Sequence, residues 1–355
     1  MWVNSLTLRN FRNFETLFLS GFEERNVIYG ENAQGKTNLL EAIWLFTGAK
    51  SFRGAKEEAF VRFGTDSAKN EISFVADGIE NEALLEIKEH RTAVLNGVKC
   101  KTPASLAASF SAVVFSPADL SLVEDGPAVR RRFLDVAVGQ LSPSYIVALR
   151  TYIKALTQRN KILKEYKYDP SLTVMLDVFE EELAEAGAKI IAARKQFCES
   201  LKHFLPKVYE GISCGKETLE AQYVCGCREE DLRERLSAAR KEDMLTGATS
   251  VGPHRDDLSF LINGISARQY GSQGQKRSAA LAVKLAQAEV IREKRGELPV
   301  FLLDDVMSEL DPGRQNYILN HIKGIQSFLT CCDPTDIQNL KQGKVIQIQN
   351  GSVVE

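Results

Sequence analysis

The chain has 355 residues, of which 44% are hydrophobic and 26% charged, and its formal net charge at pH 7 is −2. This composition excludes a disordered chain, and the near-neutral charge excludes a protein that is basic over its whole surface. The sequence has no uncharged apolar run of about 18 residues, so we expect a cytoplasmic protein without a membrane partner. The length favours a second lobe beside the first core.

Residues 2–29 predict short strands. Leu6 and Leu8 alternate with polar neighbours, and residues 26–29 run straight into a glycine. Residues 30–37 then match the pattern G-x-x-x-x-G-K-[ST], and a helix is predicted over residues 36–46. A strand, a glycine-rich loop and a helix in this order are typical of a nucleotide-binding P-loop.

The residues of this P-loop have separate chemical tasks. Gly30 and Gly35 allow the chain to wrap a phosphate with its N–H groups pointing inward, and the helix N-terminus adds a positive partial charge. Lys36 is expected to reach the β and γ phosphates of ATP, and the Thr37 hydroxyl to bind Mg²⁺. Arg12 is expected to contact phosphate or adenine. The predicted ATP-binding residues are Gly30, Glu31, Asn32, Ala33, Gln34, Gly35, Lys36, Thr37, Asn38 and Arg12.

Residues 120–245 have a helical pattern instead. Two helices are predicted over residues 143–167 and 172–205, with a break at residues 168–171. Apolar residues of the second helix recur every three or four positions, which favours packing against the first. We therefore expect a helical arm domain at 120–245, a short antiparallel coiled coil inserted into an ATPase head made of 1–119 and 246–355. The predicted seam contains Leu176, Phe179, Leu183, Ala186, Ile190, Ala193, Phe197 and Phe204, facing Tyr145, Leu149, Tyr152, Leu156 and Leu163.

The first arm helix is strongly basic. Its basic residues are accompanied by one acidic residue, Glu165, which favours a surface that follows a DNA phosphate backbone. Alternatively, they pair with the acidic residues of the second helix, Glu180, Glu181, Glu182 and Glu185, and the sequence leaves both possibilities open. The basic residues are Arg150, Lys154, Arg159, Lys161, Lys164 and Lys167.

Two Asn-Gly pairs, at 96–97 and 263–264, predict tight hairpin turns, so antiparallel strands are expected beside the core sheet. Residues 300–303 and 327–331 predict buried parallel strands. The first of these two runs ends in Asp304 and Asp305. Asp304 is expected to bind Mg²⁺, and Asp305 to act as the catalytic residue that polarises or deprotonates the attacking water.

A second anion site is predicted at residues 272–275, Ser-Gln-Gly-Gln, which lie just before a long helix over 275–294. This turn, 32 positions before Asp304, resembles the signature motif of ABC ATPases, with Gln273 in place of the commoner glycine. Residues 308–311, Ser-Glu-Leu-Asp, resemble their D-loop. In that family the partner's γ-phosphate fills the signature site, which implies catalytic roles across a homodimer for Ser272, Gly274, Gln275 and Asp311. Judged from the residues alone, Ser272 could instead only cap the helix.

The sequence is similar to the RecF family of bacterial recombination mediators along most of its length. The similarity implies an ABC-type P-loop ATPase of α/β fold, with ATP and Mg²⁺ as cofactors, that hydrolyses ATP slowly and dimerises on binding it. It further implies binding to DNA at single-strand gaps, with RecO and RecR as partners, to promote RecA loading in DNA replication, recombinational repair and the SOS response. The segments that carry the similarity are 8–13, 35–43, 115–117, 130–135, 252–257 and 304–311.

Two other functions share the head motifs: the motor subunit of an ABC transporter and a scaffold that holds nucleotide without hydrolysing it. The projecting helical pair argues against a transporter motor. Residues 330–333, Thr-Cys-Cys-Asp, lie where ABC transporters place a histidine that contacts the γ-phosphate. The sequence therefore assigns no residue to that histidine's role, and none to the glutamine of the Q-loop.

Overall fold

The computed structural model describes residues 1–166, 168–333 and 343–354. Contacts divide the chain into two compact units: Met1–Leu120, Lys207–Lys216 and Ala280–Glu355 form the first, and Ser121–Pro206 with Glu217–Ala279 form the second. Residues 246–279, which the sequence assigned to the head, lie in the second unit. A strand of this segment, residues 257–262, pairs with residues 219–224 of the same unit. The functional division into head and arm stays a prediction.

The first unit contains an antiparallel sheet in which alternate residues are buried, as the apolar alternation predicted. The turn at Asn96 and Gly97 has φ values of 49° and 78°, so the predicted two-residue hairpin is confirmed. Its strands, in spatial order, are β2 (Phe14–Ser20), β1 (Trp2–Phe11), β4 (Ala68–Ala76), β5 (Ile79–Ile87), β6 (Arg91–Leu95) and β7 (Val98–Lys99).

A second sheet of this unit positions the phosphate-binding residues. Strands β3 (Arg25–Tyr29), β12 (Val300–Asp304) and β13 (Ser327–Cys331) run parallel with β13 in the middle. Every residue of β12 and β13 is buried, as the two apolar runs predicted. The ends of β3 and β12 therefore reach the same edge of the sheet. The spatial order is β15 (Ser352–Val354), β14 (Lys344–Gln349), β3 (Arg25–Tyr29), β13 (Ser327–Cys331), β12 (Val300–Asp304) and β8 (Ala112–Phe115).

Helices flank these elements in the first unit. Helix α1 (Lys36–Trp44) follows the P-loop and continues as a 3₁₀ turn, Leu45–Thr47, which confirms the predicted helix over 36–46. Helix α9 is Pro312–His321, and α8 (Gln273–Arg295) belongs to this unit from Ala280 onward. No helix of the described residues is apolar enough over a sufficient length to cross a membrane.

The second unit is mainly helical and carries a small antiparallel sheet. The predicted helical pair is present: α4 and α5 are joined through a 3₁₀ turn at Pro170–Met175. Its buried residues include Glu180 and Arg194 as well as the apolar positions, so the packing is partly polar. The helices are α2 (Ser121–Glu124), α3 (Pro127–Leu141), α4 (Pro143–Glu165), α5 (Leu176–Ser213, in this unit as far as Pro206), α6 (Leu232–Thr246) and α7 (Ala267–Tyr270), and the strands are β9 (Leu219–Val224), β10 (Asp257–Ile262) and β11 (Ile265–Ser266).

Residues 252–257 form a polar connection inside the second unit. The His254 ring lies between Tyr152 Oη, 2.6 Å from Nδ1, and the Thr249 carbonyl, 3.0 Å from Nε2. Burial lowers the pKa of His254, and the neutral ring suits both contacts. Asp257 forms a bidentate ion pair with Arg130 of α3. The segment therefore ties the start of β10 to two helices.

Candidate nucleotide-binding site

The P-loop follows β3 and wraps tightly because two glycines take left-handed φ values. Gly30 has φ 150° and Gly35 has φ 112°. A Cβ at Gly30 would lie 2.3 Å from the Ile348 carbonyl oxygen, and one at Gly35 would lie 2.5 Å from Asn13 Nδ2. Gly30 therefore excludes a side chain on steric as well as conformational grounds, whereas at Gly35 the left-handed φ disfavours one and an added Cβ would displace the Asn13 amide.

Lys36 points into this loop. Its side chain is buried, and Nζ donates hydrogen bonds to the carbonyls of Gly30, at 2.6 Å, and Glu31, at 3.0 Å. The ammonium group is thus held at the centre of the wrap, where the N–H groups of the loop and the start of α1 favour an anion.

Thr37 and Asp304 meet as the motif order predicted. Thr37 Oγ1 donates to Asp304 Oδ1 at 2.7 Å, and Thr330 Oγ1 of β13 donates to the same oxygen at 3.0 Å. Burial raises the pKa of the Asp304 carboxyl above its usual range and Asp305 adds repulsion, while the two hydroxyls act in the opposite direction. A cation at this position would relieve the cost of the buried charge.

These residues fit a magnesium ion. Mg²⁺ prefers oxygen ligands and in nucleotide sites takes only one or two from the protein, the rest coming from phosphates and water. The hydroxyl of Thr37 and the carboxylate of Asp304 supply that small set, and Asp304 Oδ2 accepts no hydrogen bond from any described residue. The donor set matches the ion predicted from the sequence.

Asp305 leaves the strand direction directly after Asp304. Its φ is 55°, and its N–H donates to Thr330 Oγ1 at 2.9 Å. This turn separates the two carboxylates and places Asp305 on the wall of the adjoining cavity. The role of Asp305 as catalytic base stays a prediction.

A cavity of about 620 Å³ adjoins the P-loop. Most of the predicted ATP-binding residues line it, whereas Gly30, Glu31 and Gln34 do not. Five further lining residues were not predicted from the sequence: Asn13, Arg53, Ala59, Val61 and Phe63. The lining residues are Arg12, Asn13, Asn32, Ala33, Gly35, Lys36, Thr37, Asn38, Arg53, Ala59, Val61, Phe63 and Asp305.

Arg12 stands on the cavity wall with its guanidinium already engaged. It forms an ion pair with the buried Glu41, at 2.6 Å, and its Cζ lies 4.9 Å from the centre of the Phe60 ring. These contacts fix the side chain beside the loop. The predicted contact between Arg12 and a nucleotide stays a prediction.

Two residues distant in sequence support the P-loop from outside. Asn13 donates to the Gln34 carbonyl at 2.7 Å and accepts from Asn38 Nδ2 at 2.8 Å. Cys332 follows the last residue of β13, and its Sγ lies 3.8 Å from Lys36 Nζ. Neither position belongs to a phosphate-binding pattern, so only the fold brings them to the loop.

The signature-like turn caps its own helix. Ser272 Oγ accepts from the Gln275 N–H at 3.2 Å, and Gln275 Oε1 accepts from the Ser272 N–H at 2.8 Å. This reciprocal pair is a capping box, so Ser272 caps helix α8. Ser272 is also exposed, and Gly274 and Gln275 lie in the first turn of α8, which begins at Gln273. A phosphate contact from this turn stays a prediction.

Asp311 also caps a helix. Its Oδ1 accepts from the Arg314 N–H at 3.0 Å at the start of α9, and this backbone hydrogen bond lowers the pKa of the Asp311 carboxyl. The predicted D-loop role of Asp311 across a dimer stays a prediction.

Arg159 was wrongly counted in the exposed basic face of the first arm helix. It is fully buried, where it pairs with Glu180, at 3.0 Å, and Asp243, at 2.7 Å. The alternative of pairing with the second helix therefore holds for this residue. Lys167 lies outside the described residues. The remaining four, Arg150, Lys154, Lys161 and Lys164, are exposed.

The fold and site define a class: an SMC-like P-loop ATPase of the ABC type. The family model described as "RecF/RecN/SMC N terminal domain" matches residues 2–353. A DNA replication and repair protein RecF from Lachnospira eligens is 38% identical over 360 residues, covering 100% of this chain and 99% of the relative. The chain belongs to the RecF family.

Solved structures agree with this placement. The recombination mediator protein RecF in the RecFOR pathway, solved with ATPrS, is 38% identical with a TM-score of 0.92, and the match covers 99% of this chain and 97% of that one. The structure of RecF with ATP gives a TM-score of 0.91 at the same identity and the same coverage.

Proposed function

We propose that this protein binds ATP with Mg²⁺, dimerises when ATP is bound, and uses the dimer to bind DNA at single-strand gaps in the cytoplasm. The observation that carries the proposal is the pairing of Thr37 with Asp304 beside the buried Lys36, all within one unit. The RecF relative solved with ATP supports the choice of nucleotide.

The residues divide the work between binding and hydrolysis. Lys36 and the N–H groups of the P-loop hold the phosphates, and Thr37 and Asp304 hold the magnesium, which supplies charge neutralisation for phosphoryl transfer. Asp305 orients or deprotonates the attacking water. Hydrolysis is slow, because an Asp reaches less far toward the water than a Glu would.

The cavity lining includes no residue of the signature-like turn, Ser272–Gln275. In the proposed dimer this turn closes the nucleotide site of the partner copy.

The shared site is tested by sedimentation with and without ATP and Mg²⁺. We expect Ser272→Arg to abolish the ATP-dependent shift to dimer while leaving nucleotide binding intact, because the added side chain blocks an exposed turn. The matched control is Ser144→Arg, also at an exposed serine near a helix start. Normal dimerisation of Ser272→Arg would refute the shared site.

The DNA surface is proposed on the exposed side of α4. Arg150, Lys154, Lys161 and Lys164 are separated by four, seven and three positions, so they share one face of the helix over roughly 21 Å. Among the described residues none of the four has an ion-pair partner, so their charges are available to a phosphate backbone.

This basic stripe, formed by Arg150, Lys154, Lys161 and Lys164, is tested by DNA binding on gapped duplex at about 50 and 200 mM salt, with and without ATP. Each lost phosphate contact reduces the steepness of log binding constant against log salt concentration by about 0.9. The double variant Lys154→Gln/Lys161→Gln should therefore reduce that steepness by about 2. The control is Lys189→Gln/Lys241→Gln, two exposed lysines on α5 and α6. Equal slopes for both double variants would exclude the stripe as the DNA surface.

By membership of the RecF family, RecO and RecR are the proposed partners and RecA loading the proposed outcome. The family placement argues against a transporter motor. The scaffold alternative predicts that Asp305→Asn leaves ATP turnover unchanged, whereas the proposed function predicts its loss.

A further inference from the structure

The lining of the nucleotide cavity contains two chemical kinds of side chain. Lys36, Thr37 and Asp305 are charged or polar, whereas Ala59, Val61 and Phe63 are apolar. Phosphates and a metal ion account for the polar residues. The apolar residues match the faces of a planar base, which are the least polar surfaces of a nucleotide.

Phe63 is exposed in a way that packing does not explain. Its relative exposure is 102%, whereas Phe11, Phe14 and Phe60 in the same unit are fully buried. Phenyl groups are normally buried because their contact with water is unfavourable. A fully exposed ring on the wall of a ligand cavity is therefore available to cover an apolar ligand surface.

The segment that carries Phe63 is held in place. Arg12 N–H donates to the Phe60 carbonyl, and Arg62 N–H donates to the Asn10 carbonyl, both at 2.8 Å. Thr65 Oγ1 then donates to the Arg62 carbonyl at 2.8 Å and closes a turn around Phe63. The ring thus projects from a backbone fixed to the end of β1, which lowers the entropy lost when a ligand binds.

We propose that Phe63 stacks on the base of the bound nucleotide and makes the site prefer a nucleoside triphosphate over a base-free polyphosphate. This inference rests on the proposed ATP binding. Aromatic stacking accepts every base because each has a π face. Phe63 therefore contributes affinity for a base, and the P-loop contributes affinity for the phosphates.

The test is the Kd for ATP and for inorganic tripolyphosphate in the wild type, Phe63→Ala and Phe63→Trp. We expect Phe63→Ala to weaken ATP binding by about 10- to 100-fold and to leave tripolyphosphate binding unchanged. Phe63→Trp should retain the preference for ATP. The matched control is Phe18→Ala, which removes a 63% exposed ring on β2 outside the cavity.

Unchanged ATP affinity in Phe63→Ala would overturn the proposal and assign the ring to another contact, such as a second copy of the chain. An equal loss of affinity for ATP and for tripolyphosphate would also overturn it, because the substitution would then have disturbed the residues that bind the phosphates. If the wild type bound neither ligand, the proposed function itself would fail, which is a distinguishable result. Thermal unfolding without ligand checks that each variant is folded.

Discussion

Thr330 links the two carboxylates at the end of β12. Its single hydroxyl donates to Asp304 and accepts from the N–H of Asp305. The contact orients Asp304 toward Thr37 and fixes the turn that directs Asp305 to the cavity. Thr330 therefore acts through its neighbours and positions both groups.

Thr330→Val removes this hydroxyl at nearly constant volume. The buried N–H and carboxylate then lose a partner, at a cost of about 1–3 kcal/mol, so ATP turnover should fall about tenfold or more. Thr330→Ser keeps the hydroxyl and is the control. Turnover is measured by phosphate release with Mg²⁺, and equal rates for the Val and Ser variants would contradict the positioning role.

His254 makes the stability of the second unit depend on pH. Burial lowers its folded pKa, so below the ordinary value of about 6.5 the unfolded chain binds a proton that the folded chain does not. Unfolding free energy should therefore decrease as pH falls from about 7.5 to 5.5. The decrease should be smaller in His254→Gln, as measured by denaturant unfolding at both pH values. An identical decrease in the variant would exclude His254 as the source.

At this scale the sequence predicted residues that belong to a motif and missed those that the fold recruits. Thr37 and Asp304 were matched because each has a fixed place after a strand in P-loop proteins. Asn13 and Thr330 have no such pattern and reach the site only through strand order. Arg159 was misplaced because a helical period does not distinguish an exposed arginine from one paired inside.

Helix α5 shows how one position can set the distance between elements. Gly187 lies in its interior, and a Cβ there would come within 2.5 Å of Leu232 Cδ2 and 3.2 Å of Tyr152 Cε2. Both neighbours are buried, so neither side chain has free space to move into. The glycine therefore allows close packing in the second unit.

Gly187→Ala should destabilise the protein by about 1–3 kcal/mol through overpacking. The control is Gly139→Ala in α3, where the nearest atom, Ile146 Cγ1, is 3.4 Å from the added Cβ. That change should stabilise the helix by up to about 1 kcal/mol, since alanine is the better helix former. Chemical denaturation of the two variants gives the comparison, and equal effects would contradict it.

The elements that agreed best with prediction were the apolar strands and the hairpins at Asn96 and Asn263, whose local chemistry decides their structure. The arm helices were predicted from their period, but α5 continues to Ser213 and so passes Pro206, where the sequence suggested an end near 205. Proline removes the hydrogen bond that its own nitrogen would donate and crowds the carbonyl of residue 202, yet the helix continues beyond it.

At the scale of the whole molecule, ligand binding should appear as stability. When ATP with Mg²⁺ is present at 100 times its Kd, the free energy of unfolding of the first unit should increase by about 2.7 kcal/mol. Lys36→Ala should lose this gain, whereas Lys50→Ala, at an exposed position, should keep it. Thermal scans with and without nucleotide measure the difference, and a gain retained in Lys36→Ala would contradict the assignment of the site.

The order of strands in the parallel sheet has a consequence for synthesis on the ribosome. Among the described strands, β3 pairs with β13 and β14, and β8 pairs with β12, so both early strands depend on partners made after residue 299. At about 5–20 residues per second, β3 waits roughly 15–60 seconds for β14. The glycine-rich loop is shaped in part by Ile348 of β14, so a nascent chain carries the motif long before it has the site. Until then its apolar strands are exposed to chaperones and to neighbouring nascent chains.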